Sequence, residues 1–210
     1  MNGLKTQKLF VRKMTPSISE PGTHLKWRIK LIAKQLKEGA VIAYPTEGVW
    51  GLGCLPEMEA PVRRILDLKR RSWKQGLILV ASNFEYVKRY VGNLSEREEQ
   101  FLINSWPQHT TYLLPSSSLV PSWIKGDNTK VAIRISQHPI IQAISDKLES
   151  PLVSTSANPT GKPSAMNILR LKQYFPVGID YIVPGSIGDN KGASKIVDFK
   201  SSALLRGSKE

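Results

Sequence analysis

The segment AVIAYPTEGVWGLG, Ala40 to Gly53, decides the fold. Its first six residues form an apolar run too short for a helix, stopped at Pro45, which cannot donate to a β-ladder. They read as a buried strand. A polar pair, Thr46–Glu47, sits at the strand's mouth, and two glycines, Gly51 and Gly53, follow an aromatic residue. Glycine at such a place allows close approach of the backbone to a ligand, or a positive φ. A tight hairpin with an incidental polar tip fits the same residues, so Pro-Thr-Glu alone does not choose between them.

Working outward, the elements on either side alternate in kind. Upstream, Leu25, Ile29, Ile32 and Leu36 recur at steps of three and four, which predicts an amphipathic helix ending at Gly39. Residues 1–22 are basic, contain TPSISEPG and show no sustained period; they are expected to form a flexible tail ahead of a catalytic domain spanning 23–210. Downstream, a helix is expected over Pro56–Lys69 and a buried strand over LILVAS, Leu77–Ser82. Further helices are expected over Asn83–Tyr90 and Ser95–Ser105. Ser95 followed by Glu98 makes a capping box. TTYLLP, VAIRIS and PLVSTS read as strands, with a helix at Pro139–Leu148 and another at Ala165–Tyr174 capped by Ser164. YIVPG, SKIVDF and ALLRG close the chain as short strands. This interleaving without strict βαβ regularity predicts an α/β fold: an open, twisted, mixed sheet flanked by helices.

Composition narrows the function classes. Thirty Lys and Arg against seventeen Asp and Glu give a net charge of +13. The excess is local: Lys5–Lys37 carries nine basic residues against Glu20, and Val62–Tyr90 carries eight against Asp67 and Glu85. Such a field concentrates polyanions, pointing to a nucleic-acid partner, a nucleotide substrate or both. No apolar run approaches the ~20 residues needed to span a bilayer. Basic residues near the N-terminus are followed by no apolar stretch, so no secretory signal is expected. One cysteine, Cys54, excludes an internal disulfide framework and fits a reducing, cytoplasmic compartment. With three scattered histidines it also argues against a transition-metal cluster.

Three further segments carry chemistry. LKRRSWK, Leu68–Lys74, falls at a predicted helix end, where cations suit the macrodipole and arginine suits forked bonding to phosphate. STSANPTGKPS, Ser154–Ser164, delivers hydroxyls and Asn158 into a Gly/Pro loop. That loop reads either as an ordinary turn or as a cradle for a nucleotide or carboxylate. It is not a Walker A loop, because Ser156 stands where glycine is required and Pro163 where Ser or Thr must follow lysine. Arg134, inside VAIRIS, points to solvent or meets a buried anion, either a substrate carboxylate or an acid of the same chain. Cys54 reads as a small packed hydrophobe, and His109 and His138 as structural residues.

In this order YPTEGVWGLG, the Lys-x-Arg of LKRRS, the Trp-Pro of WPQHTTYLLP, VAIRIS and the Ser-x-Asn of STSANPTG resemble the YrdC-like family of threonylcarbamoyl-AMP synthases. The resemblance runs from about His24 to Arg206. It implies an open α/β sheet with a large, basic, concave cavity, in the bacterial single-domain form. It also implies that L-threonine, bicarbonate and ATP condense to threonylcarbamoyl-adenylate and pyrophosphate. Partner proteins then pass the threonylcarbamoyl group to tRNA. On that resemblance Thr46, Arg134, Ser154 and Ser194 would hold threonine, and Lys69, Arg71, Ser156, Asn158, Ser164 and Arg206 would hold ATP or, for the first two, RNA. No covalent nucleophile is implied, and Mg²⁺ is expected with ATP through its phosphates. The chain departs from the family pattern at Pro107-Gln108-His109, at Ser72 and at Ala193. A non-enzymatic RNA-binding or ribosome-maturation factor is the competing reading of the same charge.

Overall fold

A computed structural model describes residues 21–207, and the expectation of a flexible segment falls, for residues 1–20, outside them. Pro21 and Gly22, expected in that tail, open the first helix instead: α1 spans Pro21–Lys37. The remaining elements, in chain order, are β1 Ile42–Pro45, β2 Trp50–Gly53, α2 Glu59–Lys69, β3 Ile78–Ala81, α3 Glu85–Lys88, α4 Glu96–Ser105, β4 Thr110–Pro115, α5 Ser122–Lys125, β5 Lys130–Ile135, α6 Pro139–Leu148, β6 Leu152–Ser156, α7 Ile168–Tyr174, β7 Tyr181–Ile182, β8 Lys195–Asp198 and β9 Leu204–Arg206. A 3₁₀ turn at Trp73–Gln75 lies between α2 and β3.

The strands make one nine-stranded sheet in the order β7-β1-β2-β6-β3-β5-β4-β8-β9. Three pairings are parallel (β1 with β7, β3 with β5, β4 with β8) and the other five antiparallel, so the expected mixed sheet is present. AVIAYPTEGVWGLG is its antiparallel hairpin, with Ile42 opposite Gly53 and Pro45 opposite Trp50. Gly53 has no side chain for a packing reason: a Cβ there would lie 2.5 Å from the Val153 carbonyl and 2.7 Å from the Tyr44 ring.

The period-2 alternation of strand side chains splits the core into two layers. Ile42, Tyr44, Val80 and Leu152 face α1 and α6, against Ile29, Ile32, Leu36, Ile140, Ile141 and Ile144. Ala43, Leu79, Val153 and Ile133 face the other way, against Val62, Ile65 and Leu66 of α2 and residues of α3, α4, α5 and α7. On the α1/α6 face the strands change character along their length. Past Leu152, β6 presents Ser154 and Ser156; β5 presents Lys130, Ala132 and Arg134. The helices cover the apolar part of this face and leave the polar part open, and that opening is the cavity described next.

Several helices differ from expectation: α2 starts at Glu59 and not Pro56, and the short α5 was not expected. The helix expected over Asn83–Tyr90 shortens to four residues, Glu85–Lys88. The one expected from Ala165 starts at Ile168 with Asn167, not Ser164, as its cap; the Asn167 side chain accepts from the Arg170 N–H. Ala165 is instead held extended, donating to the Ala157 carbonyl at 3.1 Å and accepting from the Trp50 N–H at 2.9 Å. Backbone pairing with distant parts of the same chain overrides the local helix signal there.

Candidate active site

The open part of the sheet floors a cavity of about 480 Å³. Seven of the ten residues carried over from the family resemblance line it: Thr46, Arg71, Arg134, Ser154, Ser156, Ser194 and Arg206. They come from six separate places in the chain, brought together by the strand order. Gly51 lines it as well, whereas its companion Gly53 is buried in the core. Lys125 and Lys130 add charge; Asp198, the one carboxylate on the wall, is paired with Lys130.

The three arginines are each anchored by part of the guanidinium, leaving other N–H groups for a ligand. Arg206 sets Nε and Nη2 on the Ser194 carbonyl at 3.0 and 2.9 Å. Arg71 donates from Nη2 to the Gly76 carbonyl at 3.1 Å, and its buried Nε meets no protein acceptor. Arg134, only 5% exposed, lies with Nη1 3.3 Å from Glu47 Oε2. Its Nε also meets no protein acceptor. Such donors, fixed by packing before a ligand arrives, need no reorganisation to meet an anion.

Electrostatics agree. Burial would raise the Glu47 carboxyl, but Arg134 and the donated Ser136 hydroxyl hold it below the usual carboxylate range. Burial, then Arg134 and Arg71, lower the Arg206 guanidinium; burial lowers Arg71. Arg71 and Arg134 thus act on Arg206 across a space whose nearby carboxylates, Glu47 and Asp198, are already paired with Arg134 and Lys130. A polyanion would relieve that repulsion.

The rim is pinned by backbone. Thr46 closes the hairpin turn, its hydroxyl donating to the Val49 carbonyl at 2.8 Å and its N–H to the same oxygen at 3.0 Å. The segment between β7 and β8 crosses this turn: the Gly188 N–H donates to Thr46 O at 2.9 Å and the Asn190 N–H to Glu47 O at 3.0 Å. Gly48 must lack a side chain, since a Cβ would stand 2.2 Å from the Gly192 carbonyl. That carbonyl accepts from His109 Nε2 at 3.3 Å, which fixes the proton on Nε2 in the neutral ring. Burial and then Arg134 lower the His109 imidazolium, keeping the ring neutral. Two residues further along the same two segments the Ser194 hydroxyl meets the Thr111 hydroxyl at 2.8 Å.

Lys69, Asn158 and Ser164 do not line the cavity. Lys69 is 3% exposed and its amine donates to the Ser156 carbonyl and, at 2.7 Å, to the Asn158 carbonyl. Asn158 donates to the Lys162 and Pro159 carbonyls at 2.7 and 3.0 Å, and accepts from the Ser164 hydroxyl at 3.4 Å. Cavity residues that sequence reasoning did not single out for a role are Lys125, Lys130, Asn128 and Thr155, together with His109, which it read as structural. Of these, Lys130 shares the strand alternation of Arg134, the one signal that places it on the same face.

The chain matches the family model Sua5–YciO–YrdC, which carries the description "Telomere recombination", over residues 34–208. The chain belongs to that family. A threonylcarbamoyl-AMP synthase of Stutzerimonas stutzeri is 42% identical over 180 residues, 86% of this chain and 97% of the relative. Among solved structures, P. abyssi Sua5 complexed with L-threonine superposes with a TM-score of 0.79 at 32% identity, over 86% of this chain and 54% of that one. This chain therefore spans about half of that Sua5 protein. E. coli YciO, at 22% identity and a TM-score of 0.73 over 86% of this chain and 89% of its own, shares the fold. Among the described residues no helix is long and apolar enough to cross a membrane, and no group of three or more His, Cys, Asp or Glu is placed to hold a metal ion.

Proposed function

We infer that the chain is a threonylcarbamoyl-AMP synthase, a nucleotidyltransferase that condenses L-threonine, bicarbonate and ATP and releases pyrophosphate. The observation carrying this is the convergence of Arg71, Arg134 and Arg206 with the hydroxyl residues Thr46, Ser154, Ser156 and Ser194 on one cavity. It occurs in a chain that aligns with nearly the full length of a relative bearing that name.

On the same reading the cavity has two ends, with Ser194, on which Arg206 is anchored, between them. Arg134, with Thr46, Ser154 and Ser194 around it, takes the threonine carboxylate, and Glu47 fixes its orientation. Arg71, Arg206 and Ser156 take the nucleotide phosphates, while Asn158 and Ser164 shape the loop behind them. In the reaction the threonine amine adds to the bicarbonate carbon and water departs, leaving a carbamate. A carbamate oxygen then attacks the α-phosphorus of ATP, and the bond to pyrophosphate breaks. The attacking atoms all belong to substrates, so the protein contributes position and charge: guanidinium groups offset the charge that builds on the transferring phosphorus and the departing pyrophosphate. The lining offers no cage of carboxylates. Mg²⁺ therefore arrives with ATP as part of the substrate, bound through phosphate oxygens. The adenylate passes to partner proteins that modify tRNA, in the cytoplasm.

The purified protein should release pyrophosphate only when ATP, threonine and bicarbonate are all present. Turnover that ignores threonine would overturn the reading. Salt-sensitive RNA binding without any adenylate product would support the RNA-binding factor instead.

A further inference from the structure

Lys69 closes α2, and Arg70 after it is left-handed, with φ 51° and ψ 47°. The Arg70 N–H reaches the Asp67 carbonyl at 3.0 Å and the Arg71 N–H the Leu66 carbonyl at 2.9 Å, the bond pattern of a Schellman motif. This turn sends the two basic side chains to different places. Arg71 enters the cavity. Lys69 runs behind it, into the loop after β6.

There the contact is threefold. The Lys69 amine donates to the Ser156 and Asn158 carbonyls, and the Lys69 carbonyl accepts from the Thr160 N–H at 2.7 Å. The same loop is tied to the hairpin through the Ala157 N–H and the Trp50 carbonyl at 2.7 Å. The Lys-x-Arg and Ser-x-Asn triplets therefore form one joined unit. Arg71 and Ser156 face the cavity, whereas Lys69 and the Asn158 carbonyl face each other behind it. Burial and then Arg71 lower the Lys69 ammonium to about 7, and a neutral amine still has two N–H donors for two carbonyls.

We propose that Lys69 is a positioning residue: from behind the wall its amine fixes the Ser156–Asn158 backbone, and so the cavity-facing Thr155 and Ser156, and it gives no donor to the bound nucleotide. Its effect on catalysis rests on the synthase reading; its place in the structure does not.

The first test uses the wild-type chain. A lysine-acylating reagent, read out by peptide mass spectrometry, should modify the cavity residues Lys125 and Lys130 at least about tenfold faster than Lys69, which reacts only on local opening. ATP should slow the first two and leave Lys69 unchanged. Rapid labelling of Lys69 that ATP suppresses would overturn the proposal, because a phosphate ligand is open to reagent until phosphate arrives. The second test is Lys69→Met beside Lys69→Arg. Amide exchange across residues 156–162 of the ligand-free protein should quicken in both variants. The kcat should fall on the order of 10- to 100-fold, with the KM for ATP shifted by less than about threefold. A rise in the KM for ATP alone, rescued by arginine with loop exchange unchanged, would identify a phosphate ligand and overturn the proposal. If Lys69→Met does not fold, the wild-type labelling decides. A wild-type chain that releases no threonine-dependent pyrophosphate would refute the synthase reading, while labelling and exchange would still decide the place of Lys69.

Discussion

Arg134 is tolerated in the core because the ionised Glu47 stands beside it, and each then answers for the other. Breaking such a buried pair by removing one partner strands the remaining charge, at a cost of about 3 kcal/mol. Glu47→Ala should destabilise the protein by that order at about pH 7, measured by chemical denaturation. The acid dependence carries the sign. The Glu47 carboxyl is held below its ordinary value by Arg134 and Ser136, against the upward pull of burial. Its contribution is therefore full above the unfolded value and lost as pH falls through the folded one. The gap between wild type and Glu47→Ala should hold from about pH 7 down to about pH 5 and narrow at more acid pH, as the carboxyl titrates through its depressed folded value. A gap that stays constant below about pH 4 as well would mean that Glu47 acts through packing, not charge. The sequence left Arg134 between solvent and a buried anion. The anion is Glu47, two residues past the end of a strand that is not adjacent to β5 in the sheet, a pairing no local pattern reveals.

At the scale of elements, what was legible is what local chemistry decides. β4 at Thr110–Pro115 and α6 at Pro139–Leu148 have their expected limits, because prolines bound both. The Ser95–Glu98 capping box forms with both of its reciprocal bonds. α2 ends at Lys69 as expected, but its start at Glu59 and the turn after it were not legible: an arginine in left-handed conformation carries no sequence mark, and that one residue sends Lys69 and Arg71 to opposite sides of the cavity wall. The same turn makes a stability prediction. A side chain in the left-handed region costs roughly 1 kcal/mol that glycine avoids. Arg70 is exposed and contributes no wall to the cavity, so Arg70→Gly should raise stability by up to about 1 kcal/mol, read as a higher denaturation midpoint with an unchanged slope. A loss of stability would show that the Arg70 side chain makes a contact worth more than the strain.

For the whole molecule, +13 of net charge and three guanidinium groups around one cavity act on folding and on binding with opposite signs. In the ligand-free protein Arg71, Arg134 and Arg206 repel one another, and salt should screen that repulsion and raise Tm. A bound triphosphate turns the same field into attraction, which salt weakens. Raising KCl from about 0.05 to about 0.5 M shrinks the screening length from roughly 14 Å to roughly 4 Å, inside the span of the cavity. The KM for ATP should then rise several-fold. Threonine carries no net charge as a zwitterion, and on the proposed assignment it meets Arg134 at close range with Glu47 already beside it, so its KM should move much less. Steady-state pyrophosphate release at several KCl concentrations, with each substrate varied in turn, separates the two. Equal rises for ATP and threonine would mean that salt perturbs the fold and not the field. A falling Tm over the same range would say the same, because it would remove the repulsion from which the cavity's preference for a polyanion is argued.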